Sequence, residues 1–309
     1  SSSNITWLDL HKLSSIIGTV NWQDKRLFYQ AKYGFSTEYL PEYTNWVRSC
    51  IRSITSKTLK ALVVDLDNTL WGGIIGDDGI DGILLGPDSP EGSCFLEFCE
   101  YILSLKNRGV ILGICSKNEF SNIEEVFKTH PHMPLSLEDF SSIKCNWNSK
   151  ADNLKQMTIE LNIDESSIVF VDDNPAECEL IRQKLPKIMT INLGGDPSQN
   201  IVKLDLLNLF KIEKLTFEDF SRSESYLAKN KFEAEKLHVH DISQYLISLK
   251  MKCSFENLEE KHFQRVEQMQ FKTNQFNLCT QRTKIDALRK KLLENNVRLF
   301  SIKLEDKFV

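Results

Sequence analysis

Residues 61–70 read A-L-V-V-D-L-D-N-T-L, and the rest of the chain arranges itself around them. A run of apolar residues rich in valine suits a strand buried on both faces of a sheet. Two carboxylates, Asp65 and Asp67, follow at its carboxyl end, where open α/β sheets hold their ligands. They are two positions apart, so if the extended geometry persists both side chains project to one side. Like charges held that close call for a cation. Mg²⁺ suits oxygen ligands and keeps open positions for water and a further oxygen. The competing reading is a solvated turn, because D-N-T is also ordinary turn chemistry.

Outward from this stretch the pattern repeats. Residues 110–117, V-I-L-G-I-C-S-K, read as a second buried strand ending in Cys115 and Ser116. A hydroxyl in that place can donate to an anionic oxygen, and a thiol can act as a nucleophile; the alternatives are a helix cap for Ser116 and a packed core residue for Cys115. Residues 141–145 suit a short strand leading into N-W-N-S-K-A-D-N, where Lys150 precedes a helical run to residue 161. A lysine just before a helix amino terminus is placed to hold an anion as a point charge, against the alternative of a solvated lysine. Residues 167–173, S-I-V-F-V-D-D, repeat the first strand and end in Asp172 and Asp173, either of which completes a metal shell with Asp65. A further strand is expected over 187–193. Strands alternating with helices, among them one over 91–108 and one over 122–129, imply right-handed crossovers and a parallel sheet.

Between the first and second strands lies W-G-G-I-I-G-D-D-G-I-D-G-I (71–83). Its glycines and short β-branched pairs predict a tight hairpin or flap beside the carboxylates, a lid over the site rather than a plain surface loop.

The remaining sequence sets bounds. The chain has 309 residues, 41% hydrophobic and 26% charged, enough for about two domains. A formal net charge of −5 argues against a general nucleic-acid binder. No apolar run approaches the roughly twenty residues that span a bilayer, and the opening S-S-S-N-I-T-W lacks the pattern of a secretory signal, so the expectation is a cytoplasmic protein without membrane partners. Eight cysteines without a C-x-x-C pair or zinc spacing read as reduced thiols. Three regions are expected: 1–57 helical and packed over the main sheet, 58–195 catalytic, and 196–309 beyond a Gly-Gly-Asp-Pro linker. In the last, residues from 251 suit a strand, residues 284–296 an amphipathic helix with a basic run at Arg289, Lys290 and Lys291, and residues 298–309 a strand with nothing after it to pair. That ending suggests a piece of a longer polypeptide.

D-L-D-N-T (65–69), Ser116, Lys150 and D-D-N-P (172–175), in that order and strand context, resemble the haloacid dehalogenase (HAD) superfamily of aspartate-nucleophile phosphatases. The resemblance implies a HAD-like Rossmannoid parallel sheet with flanking helices and a small flap. It implies that Asp65 attacks phosphorus and that Asp67 protonates the leaving oxygen. Ser116 and Lys150 would bind the phosphoryl group. Asp65, the backbone carbonyl of Asp67 and an acid of the 172–173 pair would hold Mg²⁺, with Asp173 as the ligand and Asp172 in support.

More narrowly, D-N-T-L-W-G-G-I-I-G-D-D-G, C-S-K-N, N-W-N-S-K-A-D-N, F-V-D-D-N-P-A-E and K-T-N-Q-F-N-L-C-T-Q-R (272–282) resemble the FkbH-like branch, glyceryltransferase/phosphatases of polyketide synthases. That implies 1,3-bisphosphoglycerate as substrate and transfer of a glyceryl unit, through an enzyme thioester, to the phosphopantetheine arm of an acyl carrier protein beside neighbouring synthase modules. It also implies a partial acetyltransferase-like fold after the catalytic domain. Trp71, Gly72, Gly73, Lys117 and Asn118 fall in these motifs as substrate-binding positions, and Cys115 is the candidate acyl carrier with Cys145 and Cys279 as rivals. The alternatives are a phosphatase of a soluble metabolite and a non-catalytic docking module.

Overall fold

The computed structural model describes residues 7–55, 58–210, 251–259, 262–263, 266, 285–292, 298 and 300–305. Its centre is a five-stranded sheet of β1 (Ala61–Val64), β2 (Ile111–Ser116), β3 (Phe140–Cys145), β4 (Ile168–Asp172) and β5 (Met189–Asn192). All neighbours are parallel, in the order β3-β2-β1-β4-β5. The chain steps outward from β1 to β3, then returns to the other side of β1 for β4. The strand order reverses between β1 and β4, and the carboxyl ends at such a reversal form a crevice. The strand–helix alternation over 60–193 is therefore as the sequence indicates, in an α/β sheet with flanking helices.

Side-chain alternation assigns the two faces. Leu62, Val64, Leu112, Ile114, Val169 and Val171 join the helices α6 (Pro90–Asn107) and α7 (Phe120–Thr129) in one core. Ala61, Val63, Ile111, Cys115, Ile168 and Phe170 join α8 (Lys150–Glu160) and α9 (Pro175–Lys184) in the other. Gly113, in the middle of β2, lets α8 come close, since a Cβ there would stand 2.6 Å from Met157 Cε. That approach brings Lys150, the first residue of α8, over the end of the sheet.

The 71–83 segment corrects the hairpin expectation. A bridge between Gly72 and Leu84 closes its base, but the segment itself is a short helix, α5 (Ile75–Gly82), kinked at Gly79. Its first amides find acceptors outside the usual capping position: Ile74 N donates to Asp78 Oδ2 at 2.7 Å and Ile75 N to Asp67 Oδ1 at 3.1 Å. Satisfied donors at its start let a glycine-rich segment coil where its composition suggests a turn.

The N-terminal helices α1 (Leu10–Ile17), α2 (Thr19–Trp22), α3 (Lys25–Ala31) and α4 (Leu40–Ile54) correct a second expectation. Rather than covering the sheet, Leu13, Trp22 and Trp46 form a core of their own with Leu206 of α10 (Asn200–Leu207). Trp46 Nε1 donates to Leu206 O at 2.9 Å and Ser49 Oγ to Asn208 O.

The chain divides into units 1–230 and 231–309. In the second, β6 (Lys252–Asn257) pairs antiparallel with β7 (Phe300–Glu305), and α11 (Ile285–Leu292) carries the basic run. The terminal strand, with nothing after it to pair, takes its partner β6 from earlier in the chain. The 272–282 motif with Cys279 lies outside the described residues. No helix among the described residues is long and apolar enough to cross a membrane.

Candidate active site

β1 ends at Val64, and the chain turns at once: Leu70 N donates to Leu66 O at 2.8 Å, and Asn68 is left-handed at φ 53°. The extended geometry stops before Asp67, so the two leading carboxylates do not share partners. Asp65, in phase with Ala61 and Val63, turns to the α8 side. Asp67 is bound to the flap side.

On the α8 side, Lys150 Nζ lies 2.8 Å from Asp65 Oδ2 and 2.6 Å from Asp172 Oδ2, with both the ammonium and the carboxylates nearly inaccessible. Asp172 Oδ1 accepts from Asn174 N at 2.8 Å. Burial pulls the Lys150 ammonium down, but the charges and hydrogen bonds of Asp65 and Asp172 outweigh it, so its pKa stands above the usual lysine value. Burial, then the charge of Asp65, pushes Asp172 and Asp173 up from the carboxylate range.

Carboxylate oxygens of Asp65, Asp172 and Asp173 lie within 4.8 Å of one another. Asp65 Oδ1 is buried without a hydrogen-bond partner. An orphaned carboxylate oxygen in a cluster of acids fits a hard divalent cation that takes oxygen ligands. Asp172 already uses both oxygens on Lys150 and Asn174, so Asp65 Oδ1 and the half-buried Asp173 are the better placed ligands. Asn192 Nδ2 holds the Asp173 carbonyl at 2.9 Å, and Gly194 lies against it: a Cβ there would come within 2.5 Å of that oxygen.

On the flap side, Asp67 is gripped from three directions. Trp71 Nε1 donates to Oδ1 at 2.9 Å beside the Ile75 amide, and Asn118 Nδ2 donates to Oδ2 at 2.9 Å. Asn118 also reaches Ser116 Oγ at 3.1 Å, and both residues are buried. Ser116 is out of phase with Cys115, so the hydroxyl faces the Asp67 cluster. Gly72 and Gly73 stand at the flap base, where Asn68 Oδ1 accepts from Gly73 N at 2.9 Å.

Of the thiols singled out from the sequence, Cys115 sits as its packed-core alternative has it. Cys115 is 0% exposed in the α8 core, with its thiol against Lys150 O at 3.7 Å, and burial pushes that thiol up. A sealed, protonated thiol is a packing group in this conformation, so accessibility does not favour it as an acyl carrier. Cys145 is half-buried beside Ser116 on the neighbouring strand, and burial followed by Asp65 and Asp67 pushes it up to about 12. Lys117 is paired to Glu177, in the first turn of α9. Glu177 went unassigned in the sequence, although an acid in the first turn after a site strand is a readable signal.

No family model matches the chain, and no curated protein matches it. Among solved structures, the chain is similar to the N-terminal part of the protein BF1531 from Bacteroides fragilis, which contains a phosphatase domain and was solved with Mg. The identity is 36% over 67% of this chain and 55% of that one, with a TM-score of 0.65. The chain thus spans about half the length of that structure. A HAD-family enzyme from Bacteroides thetaiotaomicron, bound to magnesium and inorganic phosphate, aligns at 16% identity over 60% of this chain and 87% of that one, with a TM-score of 0.27.

Proposed function

We propose that this chain is a magnesium-dependent phosphatase in which Asp65 takes the phosphoryl group from a phosphate ester and releases it to water. The observation that carries the reading is the buried, unpartnered Asp65 Oδ1 inside a three-carboxylate cluster, with Lys150 on its other oxygen. Mg²⁺, held by Asp65 and Asp173, would neutralise the dianion's charge as the reacting atoms come together. Lys150, 2.8 Å from Asp65 Oδ2, holds that carboxylate in place. Ser116, whose hydroxyl accepts from Asn118 and so keeps its own hydrogen free, offers a donor to a phosphoryl oxygen, and Asn118 orients it.

Asp67 is placed to move the proton. Two donors occupy its Oδ1, so the proton delivered to the leaving oxygen sits on Oδ2, the oxygen shared with Asn118. The same carboxylate then takes a proton from the water that attacks the aspartyl phosphate. Asp65→Asn in the full chain with Mg²⁺ should lower phosphate release from a phosphate monoester at least about a thousandfold. Turnover within tenfold of the unaltered protein would refute the assignment.

The motif resemblance extends the reading to a finer one: the ester is part of 1,3-bisphosphoglycerate, and the glyceryl unit passes through a protein thioester to a carrier protein's phosphopantetheine thiol. Support comes from the C-S-K-N and N-W-N-S-K-A-D-N segments, and from the half-buried Cys145, which pairs with Ser116 on the neighbouring strand. Intact-mass measurement after incubation with the bisphosphate tests it. A glyceryl adduct, lost on adding the carrier protein, is expected; phosphate release without any adduct leaves the simple phosphatase.

A further inference from the structure

Resting on the phosphatase reading, we propose that Lys117 and Glu177 form a latch across the crevice that selects phosphate esters carrying a second, distal anionic group. Lys117 follows β2, and Glu177 lies in the first turn of α9, which follows β4. In the sheet β1 lies between those two strands. An ion pair joining them therefore spans the carboxyl end of β1, where Asp65 stands. A substrate whose phosphoryl group reaches Asp65 places the rest of its body beside this pair.

The pair is built to exchange partners. Lys117 keeps 38% of its side chain exposed, whereas Glu177 keeps 16%. Glu177 Oε2 is buried without a hydrogen bond, so its carboxylate is only half satisfied and stays in place while the longer, wetter side chain can swing. The crevice otherwise presents Asp65, Asp67, Asp172 and Asp173, and Lys150 is committed to two of them. Lys117, by contrast, is an ammonium at this rim held by one carboxylate oxygen. A distal carboxylate or phosphate on the substrate competes with Glu177 for it and wins by adding a charge-assisted hydrogen bond. A phosphate ester without a distal anion leaves the latch shut and gains nothing from it. Glu177 thereby sets the threshold: it holds Lys117 at the rim and subtracts its own pairing from the affinity of every anionic ligand.

Two non-hydrolysable probes of similar size test this on the full chain with Mg²⁺: phosphonoacetate, with a distal carboxylate, and 2-hydroxyethylphosphonate, without one. Calorimetric binding should favour phosphonoacetate by about tenfold. Lys117→Ala should bring that ratio to near one. Glu177→Gln should raise it, because Lys117 no longer has to be released. A ratio of one in the unaltered protein, or a ratio that Lys117→Ala leaves intact, overturns the latch while the phosphatase reading stands. A Glu177→Gln ratio that falls as in Lys117→Ala also overturns it, making Glu177 a support for Lys117 and not its competitor. If the unaltered protein binds neither phosphonate, the phosphoryl site itself is wrong and the latch falls with it.

Discussion

Lys150 compensates two carboxylates at once in a nearly solvent-free place, so it is the residue whose loss the fold feels most directly. Removing one partner of a buried ionic cluster leaves the others uncompensated, which costs about 3–5 kcal/mol. Lys150→Ala should therefore lower the stability of the metal-free protein by that order in urea titrations, with part of the loss restored by Mg²⁺. A loss below about 1 kcal/mol would mean that water already reaches the cluster. Residue identities at this site were largely legible in the sequence, because Asp65 directly follows a strand, Ser116 and Asp172 end strands and Lys150 begins a helix. What the sequence hid was direction. Cys115 and Ser116 are neighbours, yet alternation sends one into the α8 core and the other toward Asp67. The β-register decides this, and a single strand's sequence does not carry the identity of the face above it.

Between residues and fold, the elements act as brackets for one another's loops. β5 ends in Asn192, and together with Gly194 just beyond it fixes the Asp173 carbonyl by a donor and by the lack of a side chain. Gly194→Ala would push that carbonyl away and move the neighbouring carboxylate. Changes behind a metal ligand typically weaken the ion by about 10–100-fold. An Mg²⁺ titration should show a loss of about tenfold with the fold retained by circular dichroism; unchanged affinity would show that the loop adjusts freely. The flap explains why elements of this kind resist reading from sequence. Its helix starts on amides held by Asp67, eight positions away, and by Asp78. Such contacts leave no periodic trace, while the glycines leave a strong and misleading one. The central strands β1 and β4 were legible for the opposite reason: Ala61–Val64 and Ile168–Val171 are uninterrupted apolar runs, and burial on both faces demands that composition.

For the whole molecule, the crowding of Asp65, Asp172 and Asp173 links ion binding to protons. The pKa values of Asp172 and Asp173 are raised by burial and by Asp65. A raised value means that a proton stays on at a pH where an ordinary carboxylate is bare. Lowering the pH from 8 toward 5.5 therefore protonates this cluster early, and the divalent ion has to displace what it finds there. Mg²⁺ affinity measured by calorimetry should fall over that range, with proton release seen as a dependence of the heat on buffer ionisation. Equal affinity at both ends would show that the acids are fully ionised without the ion.

β1 is flanked on both edges by parallel neighbours, and Ala61, Leu62, Val63 and Val64 are all fully enclosed. Its amides open only when the surrounding ladder opens, so in deuterium they should be among the slowest to exchange. Asp65, the proposed nucleophile, is thus mounted directly after the stretch of backbone that breathes least, while Asp67 sits in the following turn on a mount shared with the flap.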